Sequence, residues 1–136
     1  MLEGVVRKPM LRWFVAGIAL IGLGACAPMV PTAPAALAVD SAASPMRIQM
    51  TAPAEIRLDT GYTRTLAAGS RWQRVGALPQ GDVYRPVGTI FTIEGRQVHE
   101  AYLVIAGGRL VGFYLPGEQA YSPLSKAISI STGASQ

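Results

Sequence analysis

Short apolar runs separated by glycine and proline dominate the chain from residue 54 to residue 131. β-Branched and aromatic residues are enriched in these runs, which is typical of strands. Helix periodicity is weak everywhere, and residues 63–68 and 118–126 have room for a turn or two of helix at most. The pattern predicts an all-β domain, a small antiparallel sheet arranged as a sandwich or a partly open barrel. The predicted strands are residues 55–59, 71–77, 89–93, 98–106, 109–115 and 127–131.

The clearest local feature is a pair of strands joined by the two glycines at residues 107–108. A two-residue glycine connection permits the positive φ angles of a type I′ turn, which sets the register of the hairpin. In that register Leu110 lies opposite Ile105, and Phe113 lies opposite Tyr102 on the bulkier face. Both faces are apolar, so the hairpin belongs in a core or beneath a partner.

The face of this hairpin with the smaller side chains is the candidate interaction face of the domain. Because the side-chain period of a strand is two, alternate residues share that face. It either packs on the remaining strands or accepts a partner. The candidate interaction face consists of His99, Ala101, Leu103, Ile105, Leu110 and Tyr114.

The N-terminal segment has a different pattern. Arg7, Lys8 and Arg12 precede an uninterrupted apolar run of 11 residues at 13–23. A basic stretch followed by a short apolar stretch is typical of a secretory signal peptide. The run is too short to span a bilayer, which needs about 20 residues. We therefore expect residues 1–25 to be removed.

Leu23-Gly24-Ala25-Cys26 directly follows the apolar run. This tetrapeptide resembles the lipobox of bacterial lipoproteins, and the resemblance covers only the first 26 residues. It implies cleavage before Cys26 and acyl chains on the sulfur and the new amino group, which together give stable anchoring without a membrane span. In such lipoproteins an aspartate after the cysteine retains the protein at the inner membrane. Ala27 therefore implies the outer membrane, with the protein facing the periplasm.

Residues 26–53 are rich in proline and alanine and poor in charge. Proline removes backbone donors and favours extended structure, so neither a helix nor a central strand is expected. We interpret this stretch as a disordered, semi-rigid tether that reaches roughly 80 Å when fully extended. The β domain then occupies residues 54–131, and residues 132–136 form a flexible tail.

Composition excludes several classes of function. Removal of residues 1–25 takes away three of the twelve basic and one of the eight acidic residues, which lowers the net charge from +4 to +2. No basic run remains, so nucleic-acid binding is not expected. With Cys26 acylated, the single histidine leaves no Cys/His cluster, and we predict neither a metal nor another cofactor.

His99 and Glu100 are adjacent, but neighbours in a strand point to opposite faces and cannot act together. The sequence also lacks a nucleophile elbow, a phosphate-binding loop and a dinucleotide motif. We therefore predict a protein without enzymatic activity, a structural or protein-interaction module whose partner is an envelope protein or a second copy. The alternatives are a binding module for an apolar or cell-wall ligand, and an envelope hydrolase.

Overall fold

The computed structural model describes residues 28–39 and 46–136. The predicted signal peptide and Cys26 lie outside these residues. The two described ranges contain twelve strands, and no helix in them is long and apolar enough to cross a membrane. In chain order the strands are β1 (Ala33–Pro34), β2 (Arg47–Met50), β3 (Ala54–Arg57), β4 (Thr63–Leu66), β5 (Arg71–Leu78), β6 (Gly81–Pro86), β7 (Thr92–Glu94), β8 (Val98–Glu100), β9 (Tyr102–Ala106), β10 (Arg109–Leu115), β11 (Ala120–Ser129) and β12 (Thr132–Ala134).

Eight strands form one antiparallel sheet in the order β1-β11-β10-β9-β6-β5-β2-β12. The other four strands form two hairpins, β3-β4 and β7-β8. The large sheet does not close into a barrel. Both hairpins contribute side chains to a core shared with one face of the large sheet. The predicted all-β, antiparallel fold is confirmed, and the arrangement is consistent with a sandwich.

The main core lies between the large sheet and the two hairpins. Phe91 packs edge-on against Trp72, with ring centroids 5.4 Å apart, and stacks on Phe113 at 6.2 Å. Arg64 of β4 lies 4.5 Å from the centroid of the Phe91 ring. Its guanidinium also donates to the backbone carbonyl of Thr92 in β7 at 2.7 Å. This arginine therefore joins the two hairpins above the aromatic cluster.

A second, smaller core lies on the opposite face of the large sheet. Val83 and Val104 are fully buried there, together with Tyr114 and Tyr121. The next residue on β6, Tyr84, and the preceding residue on β9, Leu103, point the other way and belong to the main core. Residues 35 and 37 of the N-terminal segment pack against this second core. Both faces of the central strands are therefore covered, as expected for the two-sided apolar hairpin.

Residues 28–39 pack along the domain, so the prediction of a free tether is wrong for this segment. Val30 is buried in the main core, and β1 pairs with β11. Ala38 exchanges two backbone hydrogen bonds of 3.0 Å with Ala77 of β5. The proline content does not prevent this packing, because Pro34 lies on the outermost strand, where a missing backbone donor costs no ladder bond.

The domain also begins earlier and ends later than the sequence pattern predicts. β2 pairs with β5 inside the large sheet, and Met50 of β2 is fully buried. β12 pairs with β2, with Thr132 opposite Met50. The predicted boundaries at residues 54 and 131 are therefore wrong, because prolines on both sides of β2 obscure its alternation of polar and apolar residues. Residues 40–45 of the predicted tether lie outside the described residues.

The central hairpin has the predicted turn and a different register. The glycines at residues 107–108 have φ angles of 59° and 74°, as a type I′ turn requires. Leu110 lies opposite Ile105 as predicted, but the register then shifts and Phe113 lies opposite Leu103. A shift of one residue moves a side chain to the other face of the sheet. Phe113 accordingly belongs to the main core with Leu103.

The register shift lies between Leu110 and Gly112, and at Gly112 β11 approaches β10 closely. A Cβ on Gly112 would lie 2.6 Å from the hydroxyl oxygen of Tyr121. That hydroxyl donates to the backbone carbonyl of Val111 at 3.2 Å. A glycine beneath an aromatic ring and a β-bulge are associated features of curved sheets. The absent side chain at Gly112 therefore provides the space that the tyrosine ring occupies.

Candidate functional site

Most of the predicted interaction face lies inside the protein. Ala101, Leu103 and Leu110 have no exposed surface, and Ile105 packs half-buried against the same core. Tyr114 lies on the opposite face of the sheet, in the second core. Of the two alternatives for this face, packing on the rest of the domain therefore holds for Ala101, Leu103, Ile105 and Leu110. The two hairpins cover the face, and the bulge in β10 reverses the side on which Tyr114 lies.

His99, the remaining member of that face, forms a hydrogen-bonded pair with a carboxylate that is distant in the sequence. Its Nδ1 atom lies 2.9 Å from Oε2 of Glu118. The His99 side chain is 11% exposed and the Glu118 side chain 44% exposed. Glu118 belongs to the turn that joins β10 to β11, where its backbone amide donates to the carbonyl of Leu115 at 3.2 Å. The pair becomes a salt bridge when the imidazole is protonated.

A cavity of about 260 Å³ lies beside this pair. Its walls come from three separate parts of the chain: the N-terminal segment, the β7-β8 hairpin and the turn between β10 and β11. The lining therefore combines apolar side chains with a cation, a carboxylate, an imidazole, an amide and a hydroxyl. The lining residues are Met29, Val30, Thr32, Arg96, Gln97, His99 and Glu118.

Gly95 allows the N-terminal wall of the cavity to approach the β7-β8 hairpin. A Cβ on Gly95 would lie 2.7 Å from the carbonyl oxygen of Pro28 and 2.9 Å from Cγ2 of Val30. The turn itself is held by a hydrogen bond from the Gly95 amide to the carbonyl of Gln97 at 3.0 Å. Thr60 fixes the hairpin from the other side, since its hydroxyl donates to the carbonyl of Glu94 at 2.9 Å.

The chemistry available in this cavity is hydrogen bonding and charge recognition. The carboxylate of Glu118 on one ring nitrogen orients the imidazole of His99, whose second nitrogen has the chemistry to donate or accept a hydrogen bond. Arg96 supplies a fixed positive charge that suits carboxylates and phosphates. General acid–base catalysis by His99 requires a reacting group within hydrogen-bond reach of that second nitrogen. Among the described residues, the ring forms its hydrogen bond with Glu118.

Metal ligation has no visible basis in the described part of the chain. Within residues 28–39 and 46–136, no group of three or more histidine, cysteine, aspartate or glutamate side chains is placed to hold a metal ion. His99 and Glu118 are the two members of these residue types among the cavity-lining residues.

Sequence reasoning identifies His99 and misses its partner. Glu118 is 19 residues further along the chain and lies in a turn that belongs to a different hairpin. The spacing of His99 and Glu118 in the sequence gives no sign that they are in contact. The two residues come together only because the fold places their hairpins side by side. The contribution of Met29 and Thr32 is equally hidden, since a proline-rich segment has no periodicity that assigns its side chains to a face.

Comparison with known proteins identifies no relative. No protein family, no curated protein and no solved structure matches this chain. Its function is therefore inferred from its own residues and their contacts.

Proposed function

We propose that this chain is a lipid-anchored protein of the bacterial outer membrane that faces the periplasm. Its β domain serves as a structural or protein-interaction module at the membrane surface. Cys26 carries the acyl chains. The observation that carries this proposal is Leu23-Gly24-Ala25-Cys26 directly after the basic and apolar segments. The packing of Pro28 and Val30 against Gly95, only a few residues beyond Cys26, supports a position of the domain close to the anchor.

The short path from Cys26 to the domain limits where the domain can be. One residue, Ala27, lies between Cys26 and Pro28. The two residues are therefore at most roughly 7 Å apart, two steps of about 3.6 Å per residue. A free tether with a reach of roughly 80 Å allows a domain to search the periplasm. With Cys26 as the anchor, the packed N-terminal segment instead supports a position of the domain beside the lipid headgroups. This geometry favours a function exercised at the membrane surface.

The partner of such a module is an envelope protein or a second copy of this chain. Crosslinking in intact cells distinguishes the two. A second copy gives a product of twice the monomer mass that contains only this polypeptide, whereas an envelope protein gives a product that contains a second, different polypeptide. A domain that yields neither product, while remaining folded and anchored, contradicts the interaction role.

Acylation of Cys26 is tested by labelled palmitate in the native host. Wild-type protein is expected to incorporate the label, and Cys26→Ser is expected to incorporate none. The substituted protein is also expected to leave the membrane fraction. Equal labelling of the two proteins, or an unlabelled wild type, contradicts the proposed anchor.

The cavity beside His99 supports a second candidate function, the binding of a small cell-wall fragment. A carboxylate-oriented imidazole and Arg96 are suited to the hydroxyl and carboxylate groups of such a fragment. Because His99 is the only histidine, its imidazole signals in an NMR spectrum report directly on the cavity. Soluble peptidoglycan fragments are expected to shift them saturably and to leave the Trp72 indole signal unchanged. Unshifted His99 signals contradict this candidate.

A further inference from the structure

We infer that the surface formed by Met29, Arg96 and Val98, called the membrane-facing surface below, lies directly on the phospholipid headgroups. The inference rests on the proposed function, since it assumes that Cys26 carries the anchor. It adds the orientation of the domain and identifies the occupant of this surface as the bilayer that holds the acyl chains.

The three residues belong to one hairpin and to the N-terminal segment that packs on its tip. Pro28 and Val30 contact Gly95, so Met29 lies between two residues that touch the β7-β8 turn. Met29 and Arg96 line the same cavity. Val98 begins β8, opposite Glu94, and is the third residue after Gly95. The membrane-facing surface therefore consists of side chains from the β7-β8 hairpin and from the segment that packs on its tip.

The position of the anchor determines which side of the domain meets the bilayer. Cys26 lies within roughly 7 Å of Pro28 along the chain, whatever path the intervening residue takes. The acyl chains attached to it must enter the bilayer, so the bilayer surface lies at the same end of the domain as Pro28. The region around Gly95 is thus the part of the domain nearest to the lipids.

The chemistry of this region matches a phospholipid surface. Met29 is 65% exposed and Val98 is 62% exposed, and both are apolar side chains that gain free energy on leaving water. Arg96 is exposed and suits the phosphate groups of the headgroups. The nearby carboxylate of Glu118 has His99 as its hydrogen-bond partner. A bilayer tethered at this distance is present at high effective concentration, so a weakly apolar surface suffices to dock on it.

Tryptophan reporters in the lipidated, full-length mature protein test this orientation. The protein is placed in phosphatidylglycerol and phosphatidylethanolamine vesicles whose acyl chains carry bromine, which quenches indole fluorescence at short range. Val98→Trp reports on the membrane-facing surface, and Met29→Trp is a second reporter there. Val39→Trp is the matched control, because Val39 is 72% exposed and follows Ala38, which pairs with β5. The native Trp72 is buried and common to all three proteins.

The expected result is strong quenching of Val98→Trp and Met29→Trp, with Val39→Trp unchanged. Arg96→Glu in the Val98→Trp protein is expected to reduce the quenching, whereas Arg71→Glu, also an exposed arginine, leaves it unchanged. Equal quenching of all three reporters overturns the inference, as does stronger quenching of Val39→Trp. A blue-shifted but unquenched Val98→Trp also overturns it, because a protein or a second copy then covers the surface.

Failure of this inference is distinguishable from failure of the proposed function. Palmitate incorporation with unquenched reporters overturns the orientation and leaves the lipid anchor standing. Absence of palmitate at Cys26 overturns both.

Discussion

Val30 lies directly against Gly95: a Cβ on Gly95 would be 2.9 Å from Cγ2 of Val30. This contact joins the N-terminal segment to the tip of the β7-β8 hairpin and buries Val30 in the main core. It also forms one wall of the cavity beside His99. A single glycine therefore links the proposed attachment of the domain, its core and its candidate binding site.

Gly95→Ala is expected to detach or displace the N-terminal segment. The added methyl group would lie 2.7 Å from the carbonyl oxygen of Pro28, and backbone atoms cannot yield as a flexible side chain does. Overpacking of this kind costs about 1–3 kcal/mol. The free energy of unfolding in urea should fall by that amount, and proteolysis within residues 28–39 should accelerate. Gly117→Ala is the matched control, since nothing lies within 4 Å of its added Cβ; equal effects of both substitutions contradict the prediction.

Phe113→Ala is expected to destabilise the domain severely. Phe113 has no exposed surface and stacks on Phe91 at 6.2 Å. Removal of a buried aromatic ring costs about 3–5 kcal/mol, a large part of the roughly 5–15 kcal/mol that stabilises a typical domain. Thermal unfolding followed by circular dichroism measures the loss. Ile90→Ala serves as the control, because that side chain is largely exposed, and an unchanged melting temperature for Phe113→Ala contradicts the assignment of the ring to the main core.

Some strands were predictable because their boundaries are marked by local chemistry. Residues 109–115 coincide with β10, and residues 71–77 match β5 except for its last residue. β-Branched and aromatic runs bounded by glycine and proline carry that information. β11 was predicted only in its last three residues, 127–129, because Pro123 interrupts its earlier part. Its first half forms through pairing with β10, where Pro123 lies opposite Gly112.

Register and domain boundaries were not predictable, because they depend on contacts between distant residues. The shift in β10 arises where the Tyr121 ring meets Gly112, and alternation along β10 alone contains no sign of it. The N-terminal segment has the composition of a linker, yet small alanines and an edge proline suit a strand that covers a sheet. The candidate site also depends on contacts between distant residues, since His99 and Glu118 come into contact only when two hairpins pack side by side.

Ala27→Asp is expected to move the protein to the inner membrane. In the lipoproteins that residues 23–26 resemble, an aspartate after the acylated cysteine retains the protein there, and this chain has Ala27 at that position. Membrane fractionation of the native host measures the change. Ala27→Ser, which adds a polar group without charge, is the control and should remain in the outer membrane. A wild type found in the inner membrane contradicts the proposed sorting.

Alkaline pH is expected to destabilise the fold through tyrosines that are buried or partly buried. Burial is the largest cause that raises the pKa of Tyr84, Tyr102 and Tyr121 above the ordinary 10.0. A raised pKa means that the folded protein keeps protons which the unfolded chain releases. The stabilisation is therefore complete below pH 10 and is lost as the pH rises from 10 toward the raised values, because the unfolded state then binds fewer protons.

Tyr121→Phe separates this titration from the packing of the ring. The substitution removes the hydroxyl that donates to the Val111 carbonyl at 3.2 Å, so about 0.5–1.5 kcal/mol of stability should be lost at neutral pH. Above pH 10 one of the three raised groups is absent, and the free energy of unfolding should fall less steeply than in the wild type. Urea unfolding at a series of pH values from 7 to 11 measures both effects. Parallel curves for the two proteins across the alkaline range contradict the prediction, because they mean that Tyr121 titrates equally in the folded and unfolded states.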